Sequence, residues 1–74
     1  MIYSRATCGL CDKARAAILA ERQRTDFDFD EMFIDGDDEL ERAYGLRVPV
    51  VTINGIEEFD FEVEPSRFHR LVRG

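Results

Sequence analysis

The chain opens with MIYSRATCGLC, residues 1–11, in which a short apolar run leads through a polar turn to a pair of cysteines. Residues 1–3 are suited to a buried strand, and residues 4–7 turn the chain toward a helix whose apolar pattern begins at Cys11. Cys8 therefore stands where a strand passes into a helix, and the second cysteine falls in the first helical turn.

The helix that follows is predicted to be amphipathic, because apolar side chains recur at the three- and four-residue spacing of one helical face. One face of the helix is expected to carry Cys11, Ala14, Ile18 and Arg22. The side chains expected to fall elsewhere are those of Lys13, Ala17, Glu21 and Arg24.

Two further elements follow the first helix. Residues 27–35 are rich in β-forming side chains, with a break in alternation near Glu31. They are expected to pair with the first strand in parallel, because a helix connects the two. Asp37 or Asp38 caps a short second helix, which ends at Gly45. The apolar stripe of that helix consists of Leu40, Ala43 and Tyr44.

A hairpin is the clearest local signal in the chain. Asn54-Gly55 favours a tight turn that joins residues 48–53, which are β-branched apart from Pro49, to residues 56–63. Proline cannot donate a hydrogen bond to a ladder, so Pro49 marks a break at the start of the third strand. In the fourth strand, residues 56–63, apolar residues alternate with acidic ones: Phe59, Phe61 and Val63 with Glu58, Asp60 and Glu62.

Glu64-Pro65 opens a last helix, because proline is favoured in a first helical turn. This helix is expected to bury Phe68, Leu71 and Val72 and to leave Ser66, His69, Arg70 and Arg73 in water. The predicted fold is therefore α/β, with the element order βαβαββα and a mixed sheet of four strands flanked by three helices.

Length and charge restrict the function classes. With 74 residues the chain is expected to form a single domain, residues 1–74. Sixteen acidic residues against ten basic ones give a net charge of -6, and no basic patch is present, which argues against nucleic acid as a partner. No apolar stretch is typical of a signal peptide or a membrane span, so we expect a cytoplasmic monomer.

Cys8-Gly9-Leu10-Cys11 carries the candidate chemistry. In the reducing cytosol, cysteines at this spacing beside a strand–helix junction indicate redox or metal chemistry rather than a structural cross-link. The unpaired N–H groups and the dipole of a helix start are expected to lower the pKa of Cys8, whereas Cys11 is expected to be buried and protonated. Cys8 is therefore the predicted attacking thiolate and Cys11 the predicted resolving thiol.

Residues 3–11, YSRATCGLC, are followed along the chain by Val48-Pro49 and by the Asn54-Gly55 hairpin. In this combination the sequence resembles a glutaredoxin across nearly the whole chain. The resemblance is greatest with the small glutaredoxin-like group whose motif reads Cys-x-Leu-Cys. It implies a minimal thioredoxin-like fold and a thiol–disulfide oxidoreductase that acts in electron transport and cell redox homeostasis.

The resemblance also implies a substrate site around the two cysteines. Pro49 is expected to follow a cis peptide bond and to face the cysteines, while the backbone of Val48 pairs with an extended peptide or with glutathione. Arg5 stands where typical glutaredoxins have lysine, and it keeps a positive charge that can meet a carboxylate. The remaining residues expected to contact substrate are Thr7, Gly9 and Leu10.

Partners follow from the same resemblance. They are disulfide-containing proteins or glutathione, which serves as reductant or co-substrate, with a reductase as the alternative source of electrons. No bound cofactor and no metal are expected. One segment departs from the typical pattern, because residues 60–64, DFEVE, stand where typical glutaredoxins place Gly-Gly-x-Asp.

Two other functions are compatible with the cysteine pair. Residues 7–11, TCGLC, are similar to the metal-binding loop of small heavy-metal-associated domains, and soft thiolates suit copper(I) or zinc. Against a metal chaperone, only seven residues precede Cys8, and the chain is predicted to end in a helix, unlike that ferredoxin-like fold. The third hypothesis is a non-catalytic module that holds an extended peptide beside Pro49, and it does not require both thiols.

Overall fold

Seven regular elements are found in residues 1–73, the part of the chain that this computed structural model describes. They occur in the predicted order βαβαββα. The strands are β1 (Ile2–Ser4), β2 (Glu31–Phe33), β3 (Val50–Ile53) and β4 (Ile56–Asp60). The helices are α1 (Gly9–Arg22), α2 (Asp38–Tyr44) and α3 (Pro65–Arg73).

The strands form one mixed sheet in the order β2-β1-β3-β4. β1 pairs in parallel with β2, as expected for strands joined by a helix, and it is antiparallel to β3, with Tyr3 opposite Val50. Asn54 and Gly55 have φ angles of 54° and 82°, the left-handed values that a two-residue turn between β3 and β4 requires. The predicted fold, including its mixed sheet, is confirmed.

Helices cover both faces of the sheet. On one face, α1 and α3 pack over β1, β3 and β4 around a core of Ile2, Ala14, Ile18, Val51, Phe59 and Phe68. α2 lies on the other face. Successive side chains of a strand point to opposite faces of the sheet, so Tyr3 points away from the core that contains Ile2. Tyr3 stacks on Tyr44 of α2, with ring centroids 4.3 Å apart. No helix among residues 1–73 has the length and apolar character needed to cross a bilayer.

Two strands are shorter than predicted. β2 covers only Glu31–Phe33 of the predicted residues 27–35. β4 ends one residue before Phe61, which takes a φ angle of 65° and so breaks the alternation of the strand. The side chain of Phe61 is consequently 47% exposed. The prediction that the alternating strand continues through Phe61 to residue 63 is therefore wrong.

The buried face of α1 includes Glu21, which was predicted to fall off the face that carries Cys11, Ala14 and Ile18. Arg22 is exposed, and Glu21 is buried in its place, with only 3% of its surface exposed. Both positions continue the apolar spacing from Ile18, so the pattern alone could not separate them. His69 explains the choice, because its Nδ1 pairs with the Glu21 carboxylate. The prediction that His69 lies in water is therefore also wrong, since it is half-buried against α1.

Three partners surround the Glu21 carboxylate. Thr25 Oγ1 donates a hydrogen bond to Oε2 over 2.6 Å, Arg24 Nη2 donates to Oε1 over 2.6 Å, and His69 Nδ1 is the third partner. The hydrogen bonds from Thr25 and His69 lower the pKa of Glu21 from 4.5 to about 2. The ionised carboxylate therefore helps to hold α3 on α1.

Acid is expected to weaken the fold through Glu21. A carboxylate whose pKa is depressed in the folded state adds stability above the pKa of the unfolded chain, near 4.5, and loses it as the pH falls toward 2. Glu21→Gln removes this contribution. Its free energy of unfolding should therefore fall less between about pH 7 and about pH 3 than that of the parent protein, as urea titrations at the two pH values will measure.

Glu39→Gln, on the exposed surface of α2, is the matched control for this acid prediction. Its free energy of unfolding should follow the parent protein at both pH values. An equal loss of stability in the Glu21→Gln variant and the parent would contradict the role assigned to Glu21.

Candidate active site

Cys8 occupies the N-cap position of α1, immediately before Gly9. Its backbone is extended, with φ -150° and ψ 109°, and its Sγ accepts a hydrogen bond from the N–H of Cys11 over 3.1 Å. An N-cap side chain ordinarily offers an oxygen atom to such an unpaired N–H group. Here a sulfur atom takes that role, so the first turn of the helix directs a backbone donor at the side chain of Cys8.

Cys11 differs from Cys8 in its access to solvent. Cys11 is 0% exposed, whereas Cys8 is half-buried. The two residues are joined by a disulfide, with Cα atoms 5.2 Å apart, within the range that this bond allows. The expected burial of Cys11 is observed, and only the first sulfur of the pair lies near the surface.

Pro49 lies at the same edge of the sheet as the cysteines. β1 and β3 are antiparallel with Tyr3 opposite Val50, so the start of β3 lies beside the end of β1, from which the chain passes to Cys8. The Val48–Pro49 peptide bond is cis, as the resemblance implied, and Pro49 is buried. The topology therefore gathers the cysteine motif and the proline at one edge.

Val48 leaves its backbone available beside this proline. Its N–H and C=O make no hydrogen bond to another backbone group of residues 1–73. The neighbouring carbonyls of Arg47 and Pro49 are both engaged, since they accept the N–H of Phe61 over 3.3 and 2.9 Å. The predicted pairing of Val48 with an extended substrate stays a prediction, but the groups that it requires are unpaired within the described backbone.

The guanidinium of Arg5 already contacts hydrogen-bond acceptors within the protein. Its Nη1 donates to Glu41 Oε1 over 3.0 Å and lies 3.7 Å from Asp35 Oδ1, and its Nη2 donates to the carbonyl of Gly45 over 3.4 Å. The predicted contact between Arg5 and a substrate carboxylate stays a prediction. Two carboxylates of the protein already compete for this guanidinium.

Thr7, Gly9 and Leu10 are exposed around the cysteines. The turn that carries Thr7 is held by Asp35, whose Oδ2 accepts the N–H of Ala6 over 2.8 Å. Leu10 is 40% exposed, and a Cβ placed on Gly9 would meet no heavy atom within 4 Å. These three predicted contact residues are therefore accessible to a substrate, and their role in binding stays a prediction.

A charged network that the sequence analysis missed holds α1 against β2. Arg15 Nε donates to both carboxylate oxygens of Glu31, over 2.9 and 3.0 Å, and its Nη1 donates to Asp12 over 2.8 Å. The buried hydroxyl of Ser4 donates to the same Glu31 carboxylate over 2.8 Å. The hydrogen bond from Arg15 lowers the pKa of Glu31, so the ionised carboxylate helps to hold α1 against β2. The only signal in the sequence was the position of Arg15, one turn after Cys11.

Comparison with known proteins identifies relatives of the same fold. The family model described as glutaredoxin-like domain (DUF836) matches residues 1–72. The X-ray structure of Northeast Structural Genomics target protein XcR50 from X. campestris is similar, with a TM-score of 0.76 and 40% identity, covering 93% of this chain and 88% of that chain. The solution structure of the same target gives a TM-score of 0.74 and 39% identity, covering 93% and 85% of the two chains. No curated protein matches the sequence significantly.

Proposed function

The chain belongs to the glutaredoxin-like domain family (DUF836), and from this membership we propose that it is a thiol–disulfide oxidoreductase. Its substrates are disulfides or mixed disulfides, which it reduces by a dithiol mechanism at Cys8 and Cys11. One observation carries the proposal, namely that the N–H of Cys11 points at the Sγ of Cys8 at the start of α1. This N–H group and the helix dipole both stabilise an anion at that sulfur.

In the first step, the reduced protein attacks as the Cys8 thiolate. Its Sγ forms a bond to one sulfur of the substrate disulfide, and the substrate S–S bond breaks. The other substrate sulfur leaves as a thiolate and takes a proton from water. The product is a mixed disulfide between Cys8 and half of the substrate.

In the second step, Cys11 resolves the mixed disulfide. Its thiol loses a proton to water, its Sγ bonds to the Sγ of Cys8, and the remaining substrate sulfur leaves as a thiolate that is then protonated. Two electrons thus pass from the cysteine pair to the substrate, while the protons that the two substrate thiolates gain are taken from water. The protein ends as the Cys8–Cys11 disulfide, which is the form present in the structure.

The substrate is proposed to lie in extended form beside Val48 and Pro49. The unpaired backbone groups of Val48 suit antiparallel pairing with a substrate segment, while Thr7, Gly9 and Leu10 border the attacking sulfur. An external thiol then regenerates the reduced cysteines. Its source is either glutathione or a dithiol protein served by a reductase.

The metal-chaperone hypothesis required a different fold. A ferredoxin-like domain needs a long first strand, whereas β1 has 3 residues and the last element of the described chain is the helix α3. No observation therefore favours metal transport over disulfide exchange.

Alkylation of the reduced protein tests the proposed inequality of the two thiols. At pH 7, a thiol with a pKa of about 8.5 is ionised to only a few per cent, whereas a thiol with a pKa of about 7 is half ionised. We therefore expect iodoacetamide to modify Cys8 at least about tenfold faster than Cys11 at neutral pH. Tandem mass spectrometry of samples quenched over time, at a series of pH values, measures both rates.

Denaturation in urea is the control for the alkylation experiment, because it removes the helix start and the burial of Cys11. The two rates should then become equal. Equal rates in the folded protein, or a Cys8 that reacts only above about pH 8.5, would exclude a stabilised thiolate.

A further inference from the structure

A groove lies directly beside the cysteine motif. It has a volume of about 160 Å³ and runs between the first turns of α1 and the segment that follows β4. Its walls are formed by Leu10, Lys13, Ala14, Glu62 and Val63. Leu10 stands between the two cysteines in the sequence, so the groove borders the proposed reaction centre.

The size of the groove suits one side chain better than a whole small molecule. Pockets that enclose small molecules usually measure about 300–1,000 Å³, whereas this groove measures about 160 Å³. Leu10, Ala14 and Val63 form the apolar part of its lining, beside the charged Lys13 and Glu62, and Leu10 is 40% exposed. An aliphatic side chain fits both this volume and the apolar part of the lining.

Phe61 adds apolar surface next to Pro49 and to the groove residues Glu62 and Val63. Its N–H is held by the carbonyls of Pro49 and Arg47, and the next N–H, that of Glu62, donates to the carbonyl of Asp60 over 2.7 Å. The φ angle of 65° in this tight turn is costly for a residue with a side chain. The turn places Phe61 outward, where it is 47% exposed, one residue before the groove wall.

The net charge of the chain and the pairing of Arg5 disfavour an anionic small disulfide such as oxidised glutathione. Arg5 is already paired with Glu41 and Asp35. Glu62 lines the groove together with Lys13, and the whole chain carries a net charge of -6. Oxidised glutathione has more carboxylates than ammonium groups, so the negative charge of the whole protein repels it. Arg5, the arginine nearest to the cysteine motif in the sequence, is already paired with carboxylates of the protein.

From these observations we infer that the substrates are polypeptide disulfides with an aliphatic side chain next to the half-cystine, in preference to disulfides of glutathione. The aliphatic side chain enters the groove while the half-cystine reaches Cys8. The inference rests on the proposed oxidoreductase function and leaves its two-step exchange unchanged. What it adds is the class of substrate.

Single-turnover reduction of matched disulfides tests this inference. The protein is reduced with dithiothreitol, freed of it, and mixed with oxidised glutathione or with the symmetric disulfide of one of two blocked peptides, Ac-Gly-Leu-Cys-Leu-Gly-amide and Ac-Gly-Gly-Cys-Gly-Gly-amide. Each rate constant is divided by that of the same disulfide with dithiothreitol alone, which corrects for intrinsic reactivity. We expect the leucine peptide to react about tenfold faster than the glycine peptide, and oxidised glutathione to react more slowly than either.

Leu10 and Leu19 provide a matched pair of variants. Both lie on α1 and are 40% and 39% exposed. They point to opposite sides of the helix, because the positions are about two and a half turns apart. Leu10→Ser should lower the preference for the leucine peptide below about threefold, whereas Leu19→Ser should leave it at the parental value.

The outcomes separate this inference from the function on which it rests. Similar normalised rates for all three disulfides, or an unchanged leucine preference in the Leu10→Ser variant, overturn the inference and leave the oxidoreductase standing. Failure to reduce any of the disulfides overturns both. Salt at about 1 M shortens the Debye length to about 3 Å, so it should relieve the discrimination against oxidised glutathione while the leucine preference persists.

Discussion

Cys8→Ser is expected to lower the rate of disulfide reduction to that of the uncatalysed exchange. The hydroxyl that replaces the thiol stays protonated at neutral pH and forms no mixed disulfide with the substrate. The fold should persist, since serine is a preferred N-cap residue whose Oγ can accept the N–H of Cys11 as the Sγ does. Reduction of a peptide disulfide by the variant and by the parent, at equal concentration, checks this expectation.

The control for the Cys8→Ser variant is a test that it folds like the parent protein. Its circular dichroism and its urea midpoint should match those of the reduced parent, which likewise lacks the cross-link. A folded variant that retains the parental rate would exclude Cys8 as the nucleophile. A parent protein with no activity at all would instead favour the non-catalytic peptide-binding module.

Cys11→Ser is expected to stop the reaction at the mixed disulfide. Cys8 still attacks, but no second thiol reaches its sulfur, so the protein accumulates with half of the substrate attached. Mass spectrometry of the intact variant, after exposure to a peptide disulfide, measures this gain in mass. Dithiothreitol should reverse it.

Burial makes Cys11 harder to replace than Cys8. It is 0% exposed, and a hydroxyl left there without a hydrogen-bond partner costs about 1–3 kcal/mol. Cys11→Ala avoids that cost and is the second variant, with the same adduct expected. Absence of the adduct from both folded variants would contradict the two-step mechanism.

Local structure is well predicted wherever neighbouring residues determine it. Asp37 accepts the N–H of Leu40 and caps α2, and Asn54-Gly55 forms the tight turn of the hairpin, as the residue types indicate. Cys8 likewise marks the start of α1. Each feature depends on residues a few positions apart, so a single sequence contains the information.

Contacts between distant segments could not be predicted in the same way. Glu21 and Arg22 both continue the apolar stripe of α1, and the choice between them depends on His69, which is 48 residues from Glu21. The lowered pKa of Glu31 depends on Arg15, 16 residues away on another element. Periodicity describes which face a side chain shares with its neighbours on one element and carries no information about such partners.

Phe61 shows a different limit of sequence reasoning. Alternation with Phe59 and Val63 placed Phe61 in the fourth strand, but the left-handed backbone at Phe61 ends the strand, and the ring is exposed. Glycine and asparagine commonly adopt a left-handed conformation and so predict it from sequence, whereas phenylalanine rarely adopts it. The substrate groove that we propose beside this turn therefore could not be predicted from the sequence.

The N-cap position of Cys8 also affects the reduction potential of the cysteine pair. A thiolate stabilised at a helix start lowers the free energy of the dithiol form relative to the disulfide, so the pair accepts electrons more readily and releases them less readily. Each tenfold stabilisation of the dithiol raises the potential by about 30 mV. In the proposed mechanism, the hydrogen bond that stabilises the attacking thiolate therefore also makes the protein a milder reductant. We expect the N-cap contact of Cys8 to raise the reduction potential of the pair above that of cysteines without such a contact.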